Sequence, residues 1–92
     1  MRQILLLNGP NLNLLGAREK ALYGHETLEE IEERFCSRAK SWRFEVTCVQ
    51  SNHEGVLIDA IQECGSKSSG IVINPGGFGH SSVAIRDALT AV

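Results

Sequence analysis

Residues 3–10 read Gln-Ile-Leu-Leu-Leu-Asn-Gly-Pro, and this octapeptide decides the class of fold. The unbroken apolar run Ile4 to Leu7 leaves no position for water, as in a central parallel strand covered on both faces. Asn8-Gly9-Pro10 then breaks the strand, which is placed over Gln3–Leu7. Working outward, Phe44–Val49 and Gly70–Asn74 read as two further strands, with helix-period segments between them. Thr27 and Glu30 have the spacing of a capping box, and Leu28, Ile31, Phe35 and Ala39 follow as one buried stripe. Glu29, Glu30, Glu32 and Glu33 precede Arg34, Arg38 and Lys40, a solvated face ordered as the helix dipole favours. Ser51 to Glu54 offers a second capping box for a helix through Cys64 that stops at Gly65. After a glycine-rich turn, Pro75 to Gly79, either Ser81 or Ser82 caps a helix running to the end of the chain. The order β-α-β-α-β-α predicts one α/β domain over residues 1–92, a parallel sheet with right-handed crossovers.

Composition narrows the function. At 92 residues, 42% hydrophobic and 22% charged, the chain fits one ordered domain. A net charge of -2 gives no footprint for nucleic acid or anionic lipid, and no apolar run approaches the length of a membrane span. The N-terminus enters the first strand without the features of a secretory signal, so a cytoplasmic location is expected. Cys36, Cys48 and Cys64 have no metal-site spacing and read as small buried hydrophobes in a reducing compartment. A domain this short buries a small fraction of its surface, so help from a partner subunit or further sequence is expected.

In parallel sheets of this kind, ligands bind beyond the carboxyl ends of the strands. The loops starting at Asn8 and Asn74 are therefore the ones to read for chemistry. If the strand order is 2-1-3, the third strand is an exposed edge, and the domain looks incomplete after its third βα unit. Residues 8–26, NGPNLNLLGAREKALYGHE, carry no obvious secondary structure and have the length of a lid or binding loop. Asn8, Asn11 and Asn13 are either turn formers or ligand contacts, and their number tilts the reading towards contact. Tyr23, near Arg18, is either a packing side chain or a base, because a guanidinium favours a phenolate that can take a proton from carbon beside a carbonyl. In NPGGFGHSS the glycines admit a ligand close to the backbone ahead of a helix N-terminus suited to an anion. His80 there is either a cap or a ligand contact; His25 and His53 read as structural.

Several familiar sites are absent. Gly76, Gly77 and Gly79 do not form the dinucleotide fingerprint and follow the wrong strand. There is no P-loop lysine, no closing glycine for a serine-hydrolase elbow, and no carboxylate ending the first strand.

Three blocks in order, NGPNLNLLGAREKALYG, QSNHEG followed by LID, and INPGGFGHSSVAIRDAL, resemble the type II 3-dehydroquinate dehydratases over essentially the whole chain. The resemblance implies a flavodoxin-like three-layer parallel sheet and a hydro-lyase converting 3-dehydroquinate to 3-dehydroshikimate, in biosynthesis of chorismate and aromatic amino acids or in quinate catabolism. It implies no metal and no organic cofactor. By position, Tyr23 matches the proton acceptor, Arg18 the transition-state stabiliser, and Asn11 the residue that holds the enolate through water. Asn74 and His80 match substrate-binding positions, Asp87 matches a contact supplied across a subunit interface, and the Arg18 to Tyr23 segment resembles a mobile lid. Family members assemble as homododecamers. Lys20 stands where many members have proline, and Phe78 and Gly79 vary a tolerant loop. The resemblance implies further family sequence beyond Val92, including the proton-donor histidine, which these residues do not include. The alternative reading is a catalytically incompetent fragment that acts as a ligand-binding or subunit-association module.

Overall fold

In the computed structural model, which describes residues 1–92, β1 (Arg2–Asn8) runs between β2 (Phe44–Gln50) and β3 (Gly70–Asn74). Both pairings are parallel, as the crossover lengths require. Asn8 lies opposite Gln50 on one side and Asn74 on the other, so the three strands end level in a row of amide side chains. The order β2-β1-β3 leaves β3 as the expected exposed edge, with Val72 44% exposed.

Alternation along β1 divides the core. Leu5 and Leu7 are fully buried against Leu57 and Ile61 of α3 (Glu54–Glu63) and Ile85 and Ala88 of α5 (Val83–Ala91). The opposite face takes α2 (Leu28–Ser41), where Ile4, Ile31, Phe35 and Ala39 line one open cavity. Of the expected buried stripe, Leu28 and Ala39 are buried and Ile31 and Phe35 half-buried, because α2 has the sheet on one side only. Helices therefore cover both faces of the sheet, two on one side and one on the other. No helix is long and apolar enough to cross a membrane.

The capping box on α2 forms in full: Thr27 Oγ1 accepts from Glu30 N–H at 3.2 Å, and Glu30 Oε1 accepts from Thr27 N–H at 3.2 Å. The second box does not form. Ser51 Oγ accepts from His53 N–H at 2.9 Å, two residues on, and α3 starts at Glu54 behind His53 without a side-chain cap. Ser51 is spent on the turn leaving β2, where its own N–H donates to Asn8 O at 3.1 Å. Ser82, and not Ser81, caps α5, accepting from Ile85 N–H at 2.9 Å. Ser81 ends a one-turn helix, α4 (Phe78–Ser81), which shortens the expected glycine turn.

Two further expectations need correction. The stretch 8–26 is not structureless: it holds a 3-10 turn, Leu12–Leu14, and a one-turn helix, α1 (Lys20–Tyr23), each entered through a left-handed residue, Asn11 (φ 69°) and Glu19 (φ 31°). The cysteines are not core residues. Cys48 is exposed, Cys36 and Cys64 are half-buried, and Cys36 and Cys48 face each other because Cys48 lies on the α2 side of the sheet beside Leu6.

Candidate active site

The first and third loops interlock above the level strand ends. Gly9 N–H donates to Asn74 O at 2.8 Å, and a Cβ on Gly9 would lie 2.3 Å from Pro75 O, so only glycine fits. Gly76 adopts φ 57° against Pro10, where Asn74 Oδ1 accepts its N–H at 3.3 Å. The prolines and glycines of the two loops thus fix one wall.

The second loop supports this wall from below. Gln50 Nε2 donates to Gly9 O at 3.1 Å, and Asn52 Oδ1 accepts from Asn11 N–H at 2.9 Å, holding Asn11 in its left-handed conformation. Sequence reading missed Gln50 and Asn52 as supports. Their signal was the amide-rich QSN segment at the carboxyl end of a strand, which reads first as a helix cap.

The opposite wall comes from α1. Tyr23 N–H donates to Glu19 O at 3.0 Å and Gly24, at φ 81°, ends the turn, which swings the phenol back towards Arg18. The Arg18 guanidinium lies over the Tyr23 ring, 4.6 Å from its centroid, in the geometry of a cation on an aromatic face. Arg18 also meets Glu19 Oε1 at 3.6 Å, an exposed pair of small energetic worth. Between the walls is a cavity of about 220 Å³ lined by Asn11, Arg18, Tyr23, Gly76 and Gly77, with Pro10, Leu12 and Leu15 completing it. This volume is below that of sites for drug-sized molecules, and its lining joins a phenol, a guanidinium and an amide. The arrangement suits a small polar molecule that loses a proton to oxygen while negative charge develops near a cation.

Of the residues singled out in the sequence, Asn11, Arg18 and Tyr23 share this cavity. Asn74, His80 and Asp87 are not among its lining residues. His80 is exposed on α4 and lines a separate cavity of about 210 Å³ with Pro75, Phe78 and Arg86. Asn74 ends β3 with its side chain turned to Gly76, and Asp87 is exposed on α5.

The family model for class II dehydroquinases matches residues 2–92. The chain is 61% identical over 92 residues to "Catabolic 3-dehydroquinase 2" of Aspergillus flavus, covering 100% of this chain and 61% of that one. It is 56% identical over 91 residues to a 3-dehydroquinate dehydratase of Phenylobacterium zucineum, covering 99% and 63% of the two chains. A solved type II dehydroquinase from Butyrivibrio crossotus superposes with a TM-score of 0.93 at 53% identity, over 99% of this chain and 63% of that one. The chain thus spans about three fifths of these relatives, matching their N-terminal part.

Proposed function

The chain belongs to the class II dehydroquinase family, and from that premise we propose that the cavity beneath Tyr23 is the proton-abstracting half of a site that dehydrates 3-dehydroquinate to 3-dehydroshikimate. The observation that carries this reading is the Arg18 guanidinium 4.6 Å from the Tyr23 ring in one cavity with Asn11. Tyr23 Oη takes the C2 proton, and the electron pair moves to the C3 carbonyl oxygen as an enolate. Arg18 opposes that charge, and Asn11 steadies the enolate through a water. Collapse of the enolate forms the C1–C2 double bond as the C1 hydroxyl leaves, protonated, as water. By family position Asn74 and His80 take the substrate hydroxyls, with the substrate extending from the Tyr23 cavity past Gly76 and Gly77 to the cavity that His80 lines, and Asp87 reaches the site of a neighbouring copy in a homododecamer. The reaction runs in the cytoplasm without a metal or organic cofactor.

The departing hydroxyl needs a proton donor, and the family resemblance puts that histidine outside residues 1–92 and His80 at a binding position, so the test supplies the rest of the family chain. Joined to the remaining C-terminal part of the Aspergillus flavus relative, the chain is expected to form the conjugated enone, followed by absorbance. Tyr23→Phe should lower kcat by about 100-fold or more while leaving quinate affinity little changed. Equal losses in both would remove the base role. Quinate binding by the 92 residues alone, with no enone formed, favours the second reading, a ligand-binding or subunit-association module.

A further inference from the structure

Away from the cavity, Cys36 of α2 and Cys48 of β2 bring their sulfurs to 3.7 Å, van der Waals contact with nothing between them. Cys48 is exposed and Cys36 half-buried, so a small reagent reaches the pair from solvent, while Cys64 stands apart beside the core on the other face. We propose that Cys36 and Cys48 form an oxidative cross-linking site, at which a peroxide converts the two thiols to a disulfide that ties α2 to the sheet.

The step balances on these atoms. One sulfur, as thiolate, attacks the peroxide O–O bond, becoming a sulfenic acid and releasing hydroxide, which takes up the proton that thiol had lost. The second thiol then attacks the sulfenic sulfur; the S–S bond forms, and the sulfenic oxygen leaves as water. Two thiols are oxidised by two electrons in all, and one peroxide becomes two waters. The sulfurs must close from 3.7 Å to bonding distance, which side-chain rotation on a helix lying against its strand can supply. Partial desolvation, the Cys36 thiol and the Glu32 carboxylate push the Cys48 thiol up to about 12, so the reaction is slow at neutral pH and is best driven in mild alkali. Closing this short loop restricts the unfolded chain, and Tm should rise by roughly 5 to 15 °C.

The test treats the folded chain with hydrogen peroxide, blocks remaining thiols under denaturing conditions, and maps peptides without reduction. The expected result is a Cys36–Cys48 peptide pair within a monomer, reversed by dithiothreitol, with Cys64 alkylated. Cys64→Ser should retain the pair and Cys36→Ser should abolish it. Peroxidation of Cys48 to sulfinic acid without a cross-link would overturn the proposal. So would a disulfide between chains, or a mixture of pairings that includes Cys64. The wild-type map decides by itself if either variant fails to fold.

Discussion

Replacing Gly9 with alanine would set a Cβ 2.3 Å from a backbone oxygen, Pro75 O, which cannot turn aside. The loops would have to part, at a cost of about 2 to 3 kcal/mol, read as a lower urea midpoint. Gly65→Ala also places a Cβ too close, 2.7 Å from a neighbour, but that neighbour is the Ile71 Cδ1, the end of a rotatable side chain. Its loss should be smaller, and the reverse ranking would contradict the interlock. Cys48 carries a pH prediction. Its thiol is pushed from an ordinary 9.0 up to about 12, chiefly by desolvation and then by Cys36, so the folded chain holds a proton that the unfolded chain releases. Stability from this group is complete below about 9 and falls as pH rises towards 12. Cys48→Ser should flatten that alkaline fall in urea titrations; an unchanged slope would remove the effect. Glu26 behaves in the opposite sense: its bond to Arg34 holds the carboxyl below the usual range, so its contribution is lost as acid is added.

Among the elements, local chemistry decided what could be read from sequence. The strands emerge from runs of apolar residues and match the structure within a residue or two at each end, and Gly70–Asn74 matches outright. Thr27 shows its cap in both sequence and structure, and Thr27→Ala should cost about 1 kcal/mol with loss of helical circular dichroism on heating. Ser51 has the same spacing to its glutamate, yet the parallel pairing of β2 with β1 places its N–H on Asn8 O and turns the hydroxyl to His53. That competition is long-range and leaves no trace in four letters. The turns inside residues 8–26 were illegible for a related reason, since Glu19 at φ 31° is a residue type that seldom adopts left-handed backbone. The candidate site was legible only in part. The residues left Tyr23 near Arg18 as either a packing side chain or a base, and the resemblance chose between the two, but their stacking depends on α1, and the supports from Gln50 and Asn52 depend on the level strand ends. The cysteines misled because each was read singly, whereas Cys36 and Cys48 acquire meaning from the face they share.

At the scale of the molecule, the chain is a plate, 37 × 34 × 15 Å, with only 14 of 92 residues buried. So small a core leaves little reserve. Leu57 is fully buried where α3 meets β1, and Leu57→Ala should remove about 2 to 5 kcal/mol, a large share of the stability of a domain this size. A cooperative urea transition shifted to much lower midpoint is expected; an unshifted one would mean that the core lies elsewhere. The position of β1 has a consequence for how the molecule is made. The middle strand of the sheet is the first to leave the ribosome, and its partners lie far down the message: Arg2 pairs with Phe44, and Ile4 with Gly70. The Ile-Leu-Leu-Leu run must stay without its second neighbour until β3 has been made, an apolar segment exposed on the nascent chain in the meantime. A chaperone that captures this polypeptide during synthesis would find its grip at residues 4–7, and would have to let go only after residue 74 has emerged.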